Sequence, residues 1–169
     1  MNFTSLSKTD LISGNRPVLI AGFASFLLIA AALAFEHIGG LTPCKLCLTQ
    51  RLPHYGVIFI ALISLAIPKP HIIWRGGAAL CAIATAGVGV QHVGVEQGWW
   101  QGPQGCSSQL GGGDLSSLTD ALLATPVVRC DEIAWSFMGI SMAGWNALIS
   151  FAIAGFLVTS MVRLKKRVR

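Results

Sequence analysis

The chain has 169 residues, of which 53% are hydrophobic and only 11% are charged, and its net charge is +5. Soluble domains carry roughly a quarter charged residues, so this composition excludes an ordinary soluble domain. The basic C-terminal segment at positions 163–169 directly follows an apolar stretch. We interpret it as an anchor that contacts anionic lipid of the bilayer, and we expect no nucleic-acid partner.

Apolar stretches predict four membrane spans, at about residues 18–36, 50–67, 72–95 and 143–162. About 20 helical residues at a rise of 1.5 Å cross the roughly 30 Å hydrocarbon layer. The sequence therefore predicts an all-α membrane protein. It would be a four-helix transmembrane bundle forming one domain over residues 1–169, with loops at 37–49 and 96–142.

Lys and Arg are unevenly distributed between the two sides of these spans. If both termini are cytoplasmic, that side carries nine of them, against Lys45, Arg51 and Arg129 on the other. The positive-inside rule then predicts an N-in, C-in protein with both loops outside. The first stretch also has features of a cleavable signal peptide, but its apolar run is longer than usual, so we expect a retained helix.

The second outer loop contains Gly111-Gly112-Gly113, which predicts a flexible joint. Asp114 can cap a short helix over Leu115–Ala124, whose leucines share one face. This helix is too short to span the membrane. We expect it on the membrane surface or packed over the bundle.

Four of the five cysteines fall in the two outer loops: Cys44 and Cys47 in the first, Cys106 and Cys130 in the second. A disulfide closing the loop of about 25 residues between Cys106 and Cys130 would contribute roughly 3–4 kcal/mol, so a structural role is reasonable there. The Cys44–Cys47 spacing closes almost no loop, and Cys-x-x-Cys is a redox spacing. We therefore predict that Cys44, Cys47, Cys106 and Cys130 are redox-active.

Two other interpretations of the cysteines are weaker. A four-sulfur zinc site is disfavoured by the distance in sequence between Cys106 and Cys130 and by an oxidising compartment, so we expect no metal. Cys81 lies inside the third span, about 16 Å of helical rise from His92. It is too far from the loops to form a disulfide with them, and we expect an inert buried thiol.

Oxidation of dithiols requires an electron acceptor, and the chain has no dinucleotide, iron–sulfur or haem motif. A membrane protein has a lipid-soluble acceptor available, a quinone. Arg51 and His92 lie at the outer ends of the second and third spans, beside the Cys-x-x-Cys pair, and Glu36 and His37 end the first span at the same level. We predict a quinone site here, with Arg51 and His92 as its polar groups beside the thiol pair.

The motifs resemble one family over the whole chain. Cys44-Lys45-Leu46-Cys47, with Arg51 four residues later, is similar to the signature of the DsbB family, bacterial inner-membrane disulfide-bond formation proteins. A second marker runs from Cys130 through Trp135, Phe137 and Gly139 to Met142 and Trp145.

The resemblance implies a relay with named roles. Cys106 and Cys130 would form the disulfide attacked by a reduced DsbA-like thiol oxidase in the periplasm, with Cys106 holding the mixed disulfide. Cys44 and Cys47 would re-oxidise that pair and pass electrons to ubiquinone or menaquinone. Cys47 would be the thiolate that contacts the quinone, favoured by Arg51, and His92 would sit at the quinone.

The leading hypothesis is therefore a quinone-dependent protein-disulfide oxidoreductase in the bacterial inner membrane. A reductive relay would need further cysteines within the spans, where the sequence offers only Cys81. The alternative from another class is a four-span transporter or assembly protein with structural disulfides. The sequence leaves open which quinone is used, which partner docks, and the oligomeric state.

Overall fold

A computed structural model describes residues 14–67, 69, 71–103 and 128–168. Cys106, the glycine joint and the predicted surface helix over Leu115–Ala124 lie outside these residues.

The described chain contains four long helices: α1 (Arg16–His37), α2 (Lys45–Ala66), α3 (His71–Glu96) and α4 (Met142–Val168). Each contains a segment long and apolar enough to cross a membrane. The predicted four-helix transmembrane bundle is confirmed. Cys44 and Cys47 lie at the end where α1 and α3 end and α2 and α4 begin, which we call the thiol end.

Helix α2 begins at Lys45, five residues before the predicted start at residue 50. Cys44 is its N-cap, and the Cys44 sulfur accepts a hydrogen bond from the main-chain N–H of Cys47 at 3.3 Å. Pro53 lies inside the helix, where it removes one main-chain donor. The apolar pattern could not reveal this start, because Lys45, Thr49, Gln50 and Arg51 interrupt it in the first turns of α2. Cys47 and Arg51 therefore lie one turn apart on the same helix.

Small residues allow the helices to approach closely. A Cβ atom built on Gly22 of α1 would lie only 2.4 Å from the Cβ of Ala61 on α2. A Cβ on Gly89 of α3 would lie 2.9 Å from the Cβ of Ala147 on α4. In lipid, where no hydrophobic drive brings helices together, such close packing supplies much of the association. Gly89 belongs to a helix rich in glycine and alanine, and it is where α3 approaches α4 closely.

Arg75 holds the other end of the bundle together. Its side chain is fully buried and donates to the main-chain oxygens of Ser160 and Gly14, each at 2.7 Å. Arg75 is one of the nine basic residues expected on the cytoplasmic side, and in the structure it bridges α3 to α4 and to the residues before α1. Charge-assisted bonds to two carbonyl groups offset part of the cost of burying this guanidinium.

A short hairpin precedes α4 at the thiol end. Strands β1 (Ser136–Phe137) and β2 (Ile140–Ser141) pair antiparallel, and both turn residues have positive φ, 52° at Met138 and 78° at Gly139. Two such residues define a type I′ turn, which matches the twist of paired strands.

The hairpin contributes to a row of contacting aromatic rings, in the order Phe35, Trp135, Phe137 and Trp145. Successive ring centroids lie 5.0, 6.1 and 6.4 Å apart. The indole N–H of Trp145 also donates to the main-chain oxygen of Phe137 at 3.1 Å. This aromatic row ties the end of α1 to the start of α4.

Candidate functional site

The thiol pair lies at the N-terminus of α2. Cys44 is buried and Cys47 is partly buried, and both are free thiols. Their sulfur atoms lie 2.9 Å apart and share a hydrogen bond. Because a disulfide has an S–S distance of about 2.05 Å, this geometry is that of the reduced pair.

Local hydrogen bonds favour a thiolate at Cys44. The hydrogen bond from the Cys47 thiol is the largest influence and lowers the pKa of Cys44; burial opposes it, and His92 and the Cys47 main-chain N–H lower it further. A capping position at a helix N-terminus also favours negative charge. The reduced pair thus holds one proton and one negative charge between its two sulfurs.

His92 contacts the thiol pair directly. Its side chain is buried, and its Nε2 lies 3.5 Å from the Cys44 sulfur. Its Nδ1 lies 2.9 Å from the Nε2 of Gln50, and its Nε2 lies 3.8 Å from a carboxylate oxygen of Glu96. The structure therefore brings the predicted site residue His92 to Cys44.

Arg51 forms an ion pair with Glu36. The Nη1 of Arg51 lies 2.6 Å from the Oε2 of Glu36, which links the start of α2 to the end of α1. Both side chains line a cavity at the thiol end of the bundle, and Cys47 lines it as well. Arg51 therefore presents a cation to this cavity that is already partly neutralised by a carboxylate.

The cavity has a volume of about 440 Å³ and opens among the four helices at the thiol end. Most of its walls are apolar, including Leu28, Ile29, Leu41, Met142 and the whole aromatic row. Both sulfurs of the thiol pair lie in its wall, together with Arg51 and His92. An apolar site with a few placed polar groups is typical of pockets that hold a small molecule.

Among the polar residues of this cavity wall, no role was assigned from the sequence to Gln50, His54, Glu96 or Asn146. Gln50 and His54 are four residues apart on α2, so a helical pattern would have put both on one face. Asn146 is an isolated amide inside an apolar span, which is expensive unless it is hydrogen-bonded. This cost could have indicated from the sequence that Asn146 has a hydrogen-bond partner inside the bundle.

Cys130 lies beside the thiol pair. It is fully buried and disulfide-bonded, and it packs in one apolar cluster with Cys44, Leu46 and Val95. Cys106 lies outside the described residues. Cys81 is a half-buried free thiol on α3, whose neighbours include Gly56 of α2.

The same groups offer a set of metal ligands. One ligand atom each from Cys44, Cys47 and His92 lies within 4.8 Å of the others. Two sulfurs and one imidazole nitrogen suit a thiophilic ion such as zinc, provided that both thiols are reduced. Such a site would compete with oxidation of the pair.

This membrane bundle holds the reduced Cys44–Cys47 pair next to Cys130, which is disulfide-bonded. Such an arrangement is that of a membrane oxidoreductase that forms disulfides. Residues 15–160 match the family model described as "Disulfide bond formation protein DsbB". The chain belongs to the DsbB family.

The chain is similar to curated proteins of the same family over most of their length. The chain is 33% identical over 165 residues to disulfide bond formation protein B of Saccharophagus degradans, covering 90% of this chain and 94% of the relative. It is 31% identical to the protein of the same name from Herminiimonas arsenicoxydans, covering 91% of this chain and 99% of the relative. The protein of that name from Verminephrobacter eiseniae is 30% identical, with 87% and 85% covered.

Proposed function

We propose that the chain is a quinone-dependent thiol oxidase that re-oxidises a DsbA-like dithiol protein. The observation that carries this proposal is that the Cys44–Cys47 pair lines an apolar cavity and also packs against Cys130. The site residues, the quinone and the partner are predictions from sequence and family that this arrangement supports.

Burial suggests the order of exchange. Cys44 is buried in the cluster that contains Cys130. Cys47 packs against the same cluster, but it is more exposed and lies one turn before Arg51. We therefore assign Cys44 to exchange with Cys130, and Cys47 to face the acceptor. A reduced partner would first open the Cys106–Cys130 disulfide, with Cys106 holding the mixed disulfide and leaving as a thiol when the partner's disulfide forms.

The second exchange conserves two electrons. The Cys130 thiolate attacks Cys44 of the oxidised Cys44–Cys47 pair, and Cys47 is released as a thiolate. Cys106 then attacks Cys130, which restores the Cys106–Cys130 disulfide and releases Cys44 as a thiolate. The two electrons now reside in the reduced Cys44–Cys47 pair.

The cavity residues fit a quinone. The aromatic row and the leucine and isoleucine side chains would cover the ring and the start of the tail, and Arg51 and His92 would lie near the ring oxygens. When bound, ubiquinone or menaquinone supplies a sink for two electrons and two protons. The chain's own residues hold the thiol pair at the cavity wall and stabilise the negative charge that its two sulfurs share, mainly through contacts to Cys44.

The relay works against a demanding potential. DsbA-type oxidases have reduction potentials of about −120 mV, and about 30 mV corresponds to 1.4 kcal/mol for two electrons. Structural disulfides, typically below about −300 mV, cannot oxidise such a partner. Groups that stabilise the thiolate of the reduced pair raise its potential, and the hydrogen bonds around Cys44 act in this direction.

Anaerobic mixing of purified protein, ubiquinone and reduced DsbA tests the proposal. We expect quinol to form with the wild type and with Cys81→Ser, and to be absent with Cys44→Ser and with Cys106→Ser. Both loop cysteine variants should remain membrane-embedded. Quinol formation that persists in either variant would contradict the relay, and its absence in the wild type would favour a structural or assembly role.

A further inference from the structure

A row of hydrogen bonds crosses the interior of the bundle and ends at the thiol pair. It joins all four helices through side chains that are buried or half-buried. Its members, in order, are Ser25, His54, Asn146, Gln50, His92 and Cys44. The successive distances are 3.2, 2.9, 2.8, 2.9 and 3.5 Å.

Thr85 determines the direction of this row. Its hydroxyl donates to the main-chain oxygen of Gln50 at 3.0 Å, so its only hydrogen is used and its oxygen can only accept from other groups. The side-chain nitrogen of Asn146 lies 3.4 Å from that oxygen. A flipped Asn146 would place two oxygen atoms against each other, so its NH₂ must face Thr85 and Gln50.

The orientation of Asn146 fixes the neighbouring groups. Its Nδ2 donates to Oε1 of Gln50, which turns the Gln50 NH₂ toward Nδ1 of His92. Nδ1 of His92 therefore accepts a hydrogen bond, and a neutral His92 must carry its proton on Nε2. That atom lies 3.5 Å from the Cys44 sulfur.

We propose that Asn146, Gln50 and Thr85 are positioning residues that hold His92 in the Nε2-protonated tautomer, with this proton directed at the sulfur of Cys44. The inference rests on the proposed function and deepens it. The contact strengthens when Cys44 becomes a thiolate, because a charged acceptor forms a stronger hydrogen bond than a neutral sulfur. The row therefore stabilises the reduced pair more than the oxidised pair and makes Cys44–Cys47 more oxidising.

Glu96 is the other group that could accept the hydrogen bond from Nε2–H of His92. Its carboxylate lies 3.8 Å from Nε2 of His92 and accepts a hydrogen bond from the hydroxyl of Ser141. The closer, shared thiolate of Cys44 and Cys47 is the stronger competitor when the pair is reduced. When the pair is oxidised and carries no thiolate, Nε2–H of His92 can donate its hydrogen bond to Glu96 instead.

The tautomer can be observed directly. Protein labelled with ¹⁵N-histidine has four histidines, and the His92 signals are assigned by their loss in His92→Gln. We expect a protonated Nε2 and an unprotonated Nδ1 at His92 in the reduced wild type. A wild-type His92 that is protonated on Nδ1 would overturn the proposal without any further variant.

The effect on the thiol pair is measured as its equilibrium with dithiothreitol. Asn146→Leu interrupts the row, and Thr85→Val removes the group that orients it with almost no change in shape. Each should make the Cys44–Cys47 disulfide about tenfold easier to form relative to the reductant, which is a fall of about 30 mV. Both tautomers of His92 should then be populated.

Ser160→Ala is the matched control, because this buried hydroxyl on α4 bonds only within its own helix, to Leu157, among the described contacts. It should leave the potential and the tautomer unchanged. A potential that stays at the wild-type value in folded Thr85→Val would overturn the proposal. Neither measurement uses quinone or partner, so a failed relay and a failed positioning role give different results.

Discussion

The guanidinium of Arg51 donates to the carboxylate of Glu36 at 2.6 Å, and the two side chains are 12% and 25% exposed. This pair joins the end of α1 to the first turns of α2, at the wall of the cavity that also contains both sulfurs. The cation is therefore fixed in position one helical turn after Cys47. The carboxylate of Glu36 determines how much of the positive charge of Arg51 acts on the cavity.

Arg51→Gln should lower the rate of quinone reduction by about tenfold or more, because a hydrogen bond to a charged group contributes about 1.5–3 kcal/mol. Part of any loss could come from the unpaired Glu36. The double variant Glu36→Gln with Arg51→Gln removes that carboxylate as well. A double variant as slow as Arg51→Gln assigns the effect to Arg51, whereas Arg51→Gln with normal rate and normal KM for quinone would contradict its role.

The lowered pKa of Cys44 predicts a pH dependence of the reduced protein. A thiolate should be present at neutral pH and disappear as the pH falls through the lowered folded pKa, and the ultraviolet absorbance of the thiolate measures this titration. Cys47→Ala removes the largest stabilising contact and should move the transition up toward the ordinary value of about 8.5. Cys81→Ser should not move it. A wild-type transition at the ordinary value would contradict the hydrogen-bonded pair.

The same shift has a consequence for stability. Below a pH of about 8.5, the unfolded chain holds a proton on Cys44 that the folded reduced protein has released. The reduced protein should therefore become more stable as the pH rises from the folded pKa of Cys44 toward 8.5, and lose this contribution as the pH falls. Cys44→Ser should reduce this slope in urea unfolding experiments carried out at several pH values.

The contact between α3 and α4 at Gly89 predicts a sharp packing requirement. Gly89→Ala places a Cβ 2.9 Å from Ala147, next to Asn146, so the helices must separate at a cost of about 1–3 kcal/mol. Gly87→Ala is the control, since a Cβ there meets nothing within 4 Å in the described structure. Thermal unfolding in detergent should show a lower midpoint for Gly89→Ala only. Equal midpoints would contradict the close approach.

The turn of the hairpin predicts different tolerances at two adjacent positions. Gly139 has φ +78°, so Gly139→Ala should cost about 1 kcal/mol and loosen the aromatic row. Met138→Asn should be tolerated, because asparagine adopts positive φ readily at φ 52°. Near-ultraviolet circular dichroism of the tryptophans should weaken in the first variant and persist in the second. The reverse order would contradict the type I′ turn.

The sequence predicted the architecture well because long apolar stretches allow little else in a membrane. It located Arg51 and His92 near the thiols, because both lie at the outer ends of their predicted spans and therefore at the same membrane level. It placed the start of α2 too late, because cysteine is not a common cap and polar residues interrupt the apolar pattern in the first turns of the helix. The row through Asn146 and His54 was not predicted, because its partners come from four separate helices and only packing brings them together.

We propose that the Cys44–Cys47 pair delivers its electrons to a quinone. The most direct measurement uses the Cys106→Ser, Cys130→Ser double variant, pre-reduced and freed of reductant, mixed anaerobically with ubiquinone while thiols and quinol are counted. We expect about one quinol for every two thiols lost, with Cys44 and Cys47 recovered as a disulfide by peptide mapping. Thiols that remain reduced while no quinol forms would contradict the account.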